Sequence, residues 1–548
     1  MEANKPSMQR SPIQSLGKSI HASRYHNGPA PIYSLPTEVI AAIFLLVRSS
    51  GRPDFRVAHV CRRWREIALD HPLFWSHLDL TTVTPAGATE ILTRARMAPL
   101  YLEAKVPVLF PWDDARFVAF LKELQTHLSH IYHLKISAVP HYLIRTLVGL
   151  KSPAPTLAHL SLSVERYPSS TRLSHLSVPD TLFDSTTPKL SSLELRNCSI
   201  NWKSPLLRGL KNLTIKLSFS ATPSLTNWLD ALEEMPQLKK LVLHSASPSD
   251  LRFPFRVERT ITLPFLTRLD ISASDQDCGL ALAHLVLPSL TSLFVTAMSN
   301  HPTVDSVQEM LPYVVQHAQG PQDPYPLRSV SVSGERTRVV IIACPTPNID
   351  DSECDAVLSA RVVLSVATSR HHSALDDHIR ILDAALVSLP LDNLVMLTSP
   401  YDTRLDEHFW RRHVPRWPLL RHMRLATLPA RGFRQMLLKD DSGRECPPFP
   451  SLTRLELTDS ALSGPRTLLL CDTLMKRVEQ GVPLEVLDVR TCAATGLAIQ
   501  LLSEIVVDVW APEELETTET ERPWGPFVSD DDDDSEVEFY SENFRRFI

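Results

Sequence analysis

One short apolar figure, repeated along most of the chain, restricts its folding more than any other feature. It reads apolar, two variable residues, apolar, one variable, apolar. It occurs at Leu157-Leu160-Leu162, Leu190-Leu193-Leu195, Leu210-Leu213-Ile215, Leu238-Leu241-Leu243, Leu266-Leu269-Ile271 and Leu290-Leu293-Val295. It continues at Leu327-Val330-Val332, Leu391-Leu394-Met396, Leu420-Met423-Leu425, Leu452-Leu455-Leu457 and Leu484-Leu487-Val489. Successive strand residues point to opposite faces, so the last two apolar positions of a copy share one face and the residues flanking them take the other. A single copy has too little apolar surface for a core of its own and must bury its apolar side against its neighbours. Weaker copies precede the series at Met97-Leu100-Leu102 and Ile131-Leu134-Ile136, and the long step from Leu327 to Leu391 predicts a further one around Arg361-Val362-Val363-Leu364-Ser365-Val366.

Amphipathic helices are expected between the copies. The clearest spans 225–235, with Leu225, Trp228, Leu229, Leu232 and Met235 on one face and Pro236 to stop it. Others are expected over 376–389, 406–413 and 467–480. Strand and helix therefore alternate, and the fold class is α/β. The figure resembles the L-x-x-L-x-L core of a leucine-rich repeat. Two copies extend further, Leu190-x-x-Leu193-x-Leu195-x-x-Cys198-x-Ile200 and Leu484-x-x-Leu487-x-Val489-x-x-Cys492; most others lack Asn or Cys at that place. In such repeats the residue there turns the chain off its strand and satisfies neighbouring backbone groups. Spacing between copies is uneven, which argues against a strict propeller or ankyrin period. Residues 81–512 thus read as an irregular leucine-rich-repeat-like solenoid, the alternative being an ordinary α/β domain with Leu-rich strands.

A second pattern stands near the N-terminus. Leu35-Pro36-Thr37-Glu38-Val39-Ile40-Ala41-Ala42-Ile43-Phe44 gives a helix with Pro at its first turn and an apolar stripe through Val39, Ile40, Ile43, Phe44 and Val47. Val57, Val60, Cys61, Trp64 and Ile67 or Ala68 repeat that spacing on a second helix. A unit of this size is hard to stabilise alone, so its apolar surface calls for cover from the rest of the chain or from a partner. Together with the exit Leu73-Phe74-Trp75-x-x-Leu78-Asp79-Leu80, these residues resemble the F-box, and the chain is similar to fungal-type F-box proteins with a C-terminal repeat domain. The link Arg48-Ser49-Ser50-Gly51-Arg52-Pro53 is longer and more polar than that family usually carries. The resemblance implies a small helical F-box over 32–80 that binds a Skp-type adaptor, joining the chain to a cullin–RING ubiquitin ligase while the remainder holds a protein substrate. On that resemblance Leu35, Pro36, Val39, Ile40, Ile43, Phe44, Val57, Val60, Cys61 and Trp64 form or back the adaptor surface. The same residues also read as the internal packing of a helical pair, with Trp64 a core aromatic and Cys61 a small buried hydrophobe.

The formal net charge of −6 gives no electrostatic preference for nucleic acid or an anionic membrane. The balance is uneven, because residues 513–548 hold thirteen acidic and three basic side chains. Five consecutive aspartates, Asp530 to Asp534, repel one another, so this acidic tail is expected to be solvated. Ser529 and Ser535 each precede a carboxylate by three residues, as acidophilic kinase sites do. Residues 1–31 have no apolar period and are expected to be disordered. Eight scattered cysteines without C-x-x-C fit thiols in a reducing compartment, cytoplasmic or nuclear, and no apolar run is long enough for a membrane helix.

No phosphate-binding loop or nucleophile motif occurs, and 44 prolines against 15 glycines oppose a nucleotide-binding enzyme. His371, His372, Asp376, Asp377 and His378 form the one cluster with possible metal ligands, and the acids serve equally well as N-terminal helix charges. No cofactor or metal is expected, and the chain is read as a non-catalytic substrate receptor or, alternatively, an interaction scaffold that does not direct degradation. The flanking residues Val242, Phe294, Val395 and Leu397 would point away from the core and form an apolar substrate patch.

Overall fold

The computed structural model describes residues 31–49, 52–106, 114–165, 176–218, 222–249, 257–288, 291–298, 304–318, 326–335, 338–347, 359–367, 374–399, 407–426, 437–438, 447–462 and 464–513. The acidic tail with Ser529 and Ser535, the N-terminal 30 residues, and His371 with His372 lie outside them. The chain divides into two compact units, Met1–His77 with Glu90–Ala98, and Leu78–Thr89 with Pro99–Ile548.

The first unit is helical. Pro36 is the residue before α1, Thr37–Leu46, where a fixed φ of −56° prepares the turn. The polar link forms a short antiparallel pairing of Arg48–Ser49 with Arg52–Pro53. The expected second helix is broken in two. A 3-10 turn, Phe55–His59, is capped by the Asp54 carboxylate accepting from Arg56 N–H. Then α2, Arg62–Asp70, starts where the Cys61 sulfur accepts from Trp64 N–H at 3.5 Å.

The second unit is built on one long sheet. Its strands are β1 Leu100–Lys105, β2 Ile131–Ala138, β3 His159–Val164, β4 Ser192–Arg196, β5 Asn212–Lys216, β6 Lys240–His244, β7 Arg268–Ala273 and β8 Ser292–Ala297. They continue as β9 Ser329–Glu335, β10 Arg338–Cys344, β11 Val362–Ala367, β12 Met396–Ser399, β13 His422–Leu425, β14 Arg454–Leu462, β15 Val486–Ala494 and β16 Asp508–Trp510. β1 to β8 pair in chain order, all parallel. β8 then pairs β11, and the line runs back through β10 to β9 by two antiparallel pairings. From β9 it resumes in parallel through β12 to β16.

The registers stack like on like. Leu102, Leu134, Leu160, Leu193, Leu213, Leu241, Leu269, Leu293 and Val362 occupy one row, each at most 2 % exposed. Cys198, just past β4, and Cys492, near the end of β15, donate their thiols to the carbonyls of Leu162 and Leu457, on the preceding strands. Burial pushes the Cys198 thiol up to about 12.

Helices lie between strands where a 3.6-residue period was visible: Leu225–Glu233, Ala374–Ser388, Glu407–His413 and Pro465–Glu479. The first buries Trp228, Leu229 and Leu232 and is capped by Ser224. A further helix, Val304–Ala318, carries Pro312 inside it, a residue that ordinarily argues against one. β10 was also unforeseen; its last residue is Cys344. In the helix Pro465–Glu479, buried Arg477 donates to the carbonyls of Leu437, Pro448 and Phe449 at 2.8–3.2 Å. Phe449 holds a positive φ of 46°, and this guanidinium ties down its carbonyl.

One buried histidine makes the second unit sensitive to acid. His413 is fully buried, and its Nε2 meets the Asp383 carboxylate at 2.8 Å. Burial holds its pKa down, to about 4, against the pull of Asp383. The unfolded chain therefore takes up this proton near pH 6.5 while the folded chain refuses it until about 4. Stability is thus lost as pH falls through that window. Thermal unfolding of the full chain between pH 7 and 4 checks this: His413→Gln is expected to flatten the dependence, and an unchanged slope would contradict the assignment.

Candidate functional site

Helix α1 is apolar nearly all round, so it cannot bury every side. Ile40, Ala41 and Phe44 point inward and are at most 4 % exposed. Phe44 packs against Trp64 at 5.1 Å and Phe74 at 6.2 Å. The aromatic cluster continues through Phe55 and Trp75, whose indole N–H donates to the Ala68 carbonyl at 2.8 Å. The Arg94 guanidinium stacks on Trp75 at 4.7 Å. Arg63 reaches back to the Leu35 carbonyl at 2.8 Å and fixes the chain as it enters α1.

The other side of α1 stays in solvent. Pro36, Val39 and Leu46 are exposed, Leu46 by 81 %, and Ile43 between them is half-buried. Their spacing of three and four residues makes one continuous stripe. Val47, Phe55 and Leu73 are also exposed, as is Val60, by 60 %. Basic groups accompany this surface: Arg56 pairs with Asp54 at 2.6 Å and Arg62 with Glu66 at 2.8 Å. Hydrogen bonds from Arg56 hold the Asp54 carboxyl below its ordinary range.

The residues singled out from the sequence therefore divide by role. Pro36, Val39 and Val60 form surface; Leu35, Ile43, Cys61 and Trp64 are half-buried at its edge; Ile40, Phe44 and Val57 are core that backs it. Leu46, Phe55 and Leu73 were missed. Their only signal was an apolar residue where the inward face was already supplied.

The apolar patch expected on the sheet is corrected. Val242, Phe294 and Leu397 are buried, at 2 %, 8 % and 3 % exposure, and Val395 is half-buried. Val242 and Phe294 do take the non-core side of their strands, but Arg268 lies over the Phe294 ring at 4.1 Å, and Val242 is closely covered. Leu397 has the wrong face altogether. It pairs in register with Val330 and Met423, both core residues. The true copy is Leu394-x-x-Leu397, and the frame starting at Leu391 was three residues early. Among the described residues no group of three or more His, Cys, Asp or Glu is placed to hold a metal. The side chains of Asp376, Asp377 and His378 lie outside those the structure describes.

The first unit is thus a helical pair with a packed aromatic core and one apolar face left in water. Residues 32–81 match the family model for F-box-like domains, so the chain carries an F-box-like domain at its N-terminal end. Comparison with curated proteins gave no match.

The division between core and surface is testable by stability. Phe44→Ala is expected to cost roughly 3 kcal/mol or more in the first unit, as large-to-small core changes do, whereas Val39→Ser with Val60→Ser should cost under about 1 kcal/mol. Chemical denaturation of the three proteins measures both; equal losses would contradict the assignment of faces.

Proposed function

We propose that this chain is a substrate receptor of a cullin–RING ubiquitin ligase. Its F-box-like domain binds a Skp-type adaptor through the stripe of Pro36, Val39, Ile43, Leu46 and Val60. Its second unit, an irregular leucine-rich-repeat solenoid, holds a protein substrate, which it brings near a ubiquitin-loaded enzyme supplied by other subunits. The observation that carries this reading is the exposed apolar stripe within the segment matched as F-box-like. The repeat reading is supported by the stacked apolar rows and by the Cys198 and Cys492 thiols, which do the backbone-satisfying work that position does in leucine-rich repeats.

The chain supplies no covalent chemistry of its own in this reading. Burial raises the thiols of Cys198, Cys278, Cys344 and Cys471, the last to about 11, and so suppresses the thiolates a nucleophile requires. Free thiols also suit a cytoplasmic or nuclear location.

Adaptor capture is the test. Val39→Asp with Val60→Asp places charge on the stripe without touching Phe44, and should weaken binding roughly thirtyfold or more, the usual scale for losing an interface anchor. Undiminished capture would overturn the docking surface. A tagged chain that retrieves the adaptor but no cullin would be a scaffold and not a ligase receptor.

A further inference from the structure

The non-core face of the sheet carries an excess of positive charge over β2 to β7. Lys135, Arg196, Lys216, Lys240 and Arg268 occupy outward positions there, against the carboxylates of Glu194 and Asp270. Both carboxylates are already engaged. Glu194 takes Arg196 at 2.7 Å, and Asp270 takes His244 at 3.1 Å and Arg268 at 3.4 Å. Among the described residues Lys135, Lys216 and Lys240 have no carboxylate within ion-pair distance. Lys216 and Lys240 sit on adjacent strands, one position beyond and one before the central row of the face. The row between them is uncharged, with half-buried Thr214 beside buried Val242. Two lysines flanking that row, with Arg196 on the next strand, make a track of positive charge for an extended anionic chain and not a closed pocket.

The same molecule holds the complementary charge. Residues 513–548 carry a net charge of −10, concentrated at Asp530 to Asp534. We propose that this acidic tail occupies the lysine track on the chain's own sheet and so competes with any acidic segment that would bind there. The tether reaches. From the β16 strand to the β6 strand there are ten strand steps, about 48 Å at ~4.8 Å each. The 19 residue steps from Glu513 to Asp532 extend to roughly 65 Å. Tethering raises the local concentration of the tail, so modest affinity suffices for occupancy. Phosphate on Ser529 or Ser535 would add charge at both ends of the aspartate run and tighten the contact. The inference stands apart from the ligase reading, because it concerns only this chain.

The test uses a fluorescent peptide of residues 526–540 and three proteins: the full chain, the chain lacking 514–548, and that truncation with Lys216→Glu and Lys240→Glu. Anisotropy at low salt is expected to show binding to the truncated chain and at least roughly tenfold weaker binding to the full chain, whose own tail competes. The charge-reversed truncation should lose at least roughly tenfold, and raised salt should release the peptide. A Lys216→Gln, Lys240→Gln truncation, which should lose affinity to a smaller degree, guards against a folding defect. No binding to the truncated chain, equal binding with and without the tail, or binding indifferent to both lysine pairs would each overturn the proposal.

Discussion

Parallel register is the constraint on which the second unit depends. Each strand hydrogen-bonds to the next with its repeated apolar positions aligned, so Leu193 lies beside Leu213, Leu213 beside Leu241, and Leu241 beside Leu269. A shift of one residue along any strand would turn its leucines to the other face and expose them. The one reversal, through β9, β10 and β11, respects the same rule. Val332 meets Ile341, and Ile341 meets Leu364, so the apolar row passes through two antiparallel pairings without a break. The helices can then vary in length and spacing, because they need only cover a core side that the ladder has already aligned.

The helical unit shows the opposite economy of design. Its core is a handful of aromatic rings around Phe44 and Phe74, and that core uses only one side of α1. The remaining apolar side chains of α1 contribute little to folding and keep a cost in water. They are therefore informative about partners in a way that the leucines of the sheet, all accounted for by packing, are not.

Much of this was legible from the sequence, and the omissions have physical causes. The Leu-x-x-Leu-x-Leu frames located most strands because period two and full burial both mark them, and Val362–Ala367 was found from a gap in the spacing alone. The frame near Leu391 failed because Leu391, Leu394, Met396 and Leu397 admit two phases, and only pairing with Val330 and Met423 decides between them. β10 was missed because its copy of the figure is replaced by a continuous apolar run, Val339 to Ala343, that satisfies either strand or helix. Alternation gave the correct face for Val242 and Phe294 but says nothing about what covers a face. At the N-terminal end the motif located the helical module, which lies in the segment matched as F-box-like. It did not separate Phe44, which holds the module together, from Val39 and Leu46, which are free to meet a partner.

The central claim is that a partner engages the exposed side of α1 and the turn around Val60. Amide hydrogen exchange of the full chain, with and without a saturating Skp-type adaptor, tests it most directly. Slowed exchange confined to residues 36–47 and 55–65, with β2 to β7 unchanged, is the predicted result. Protection that appears on the sheet and not on α1, or no protection anywhere, would contradict it.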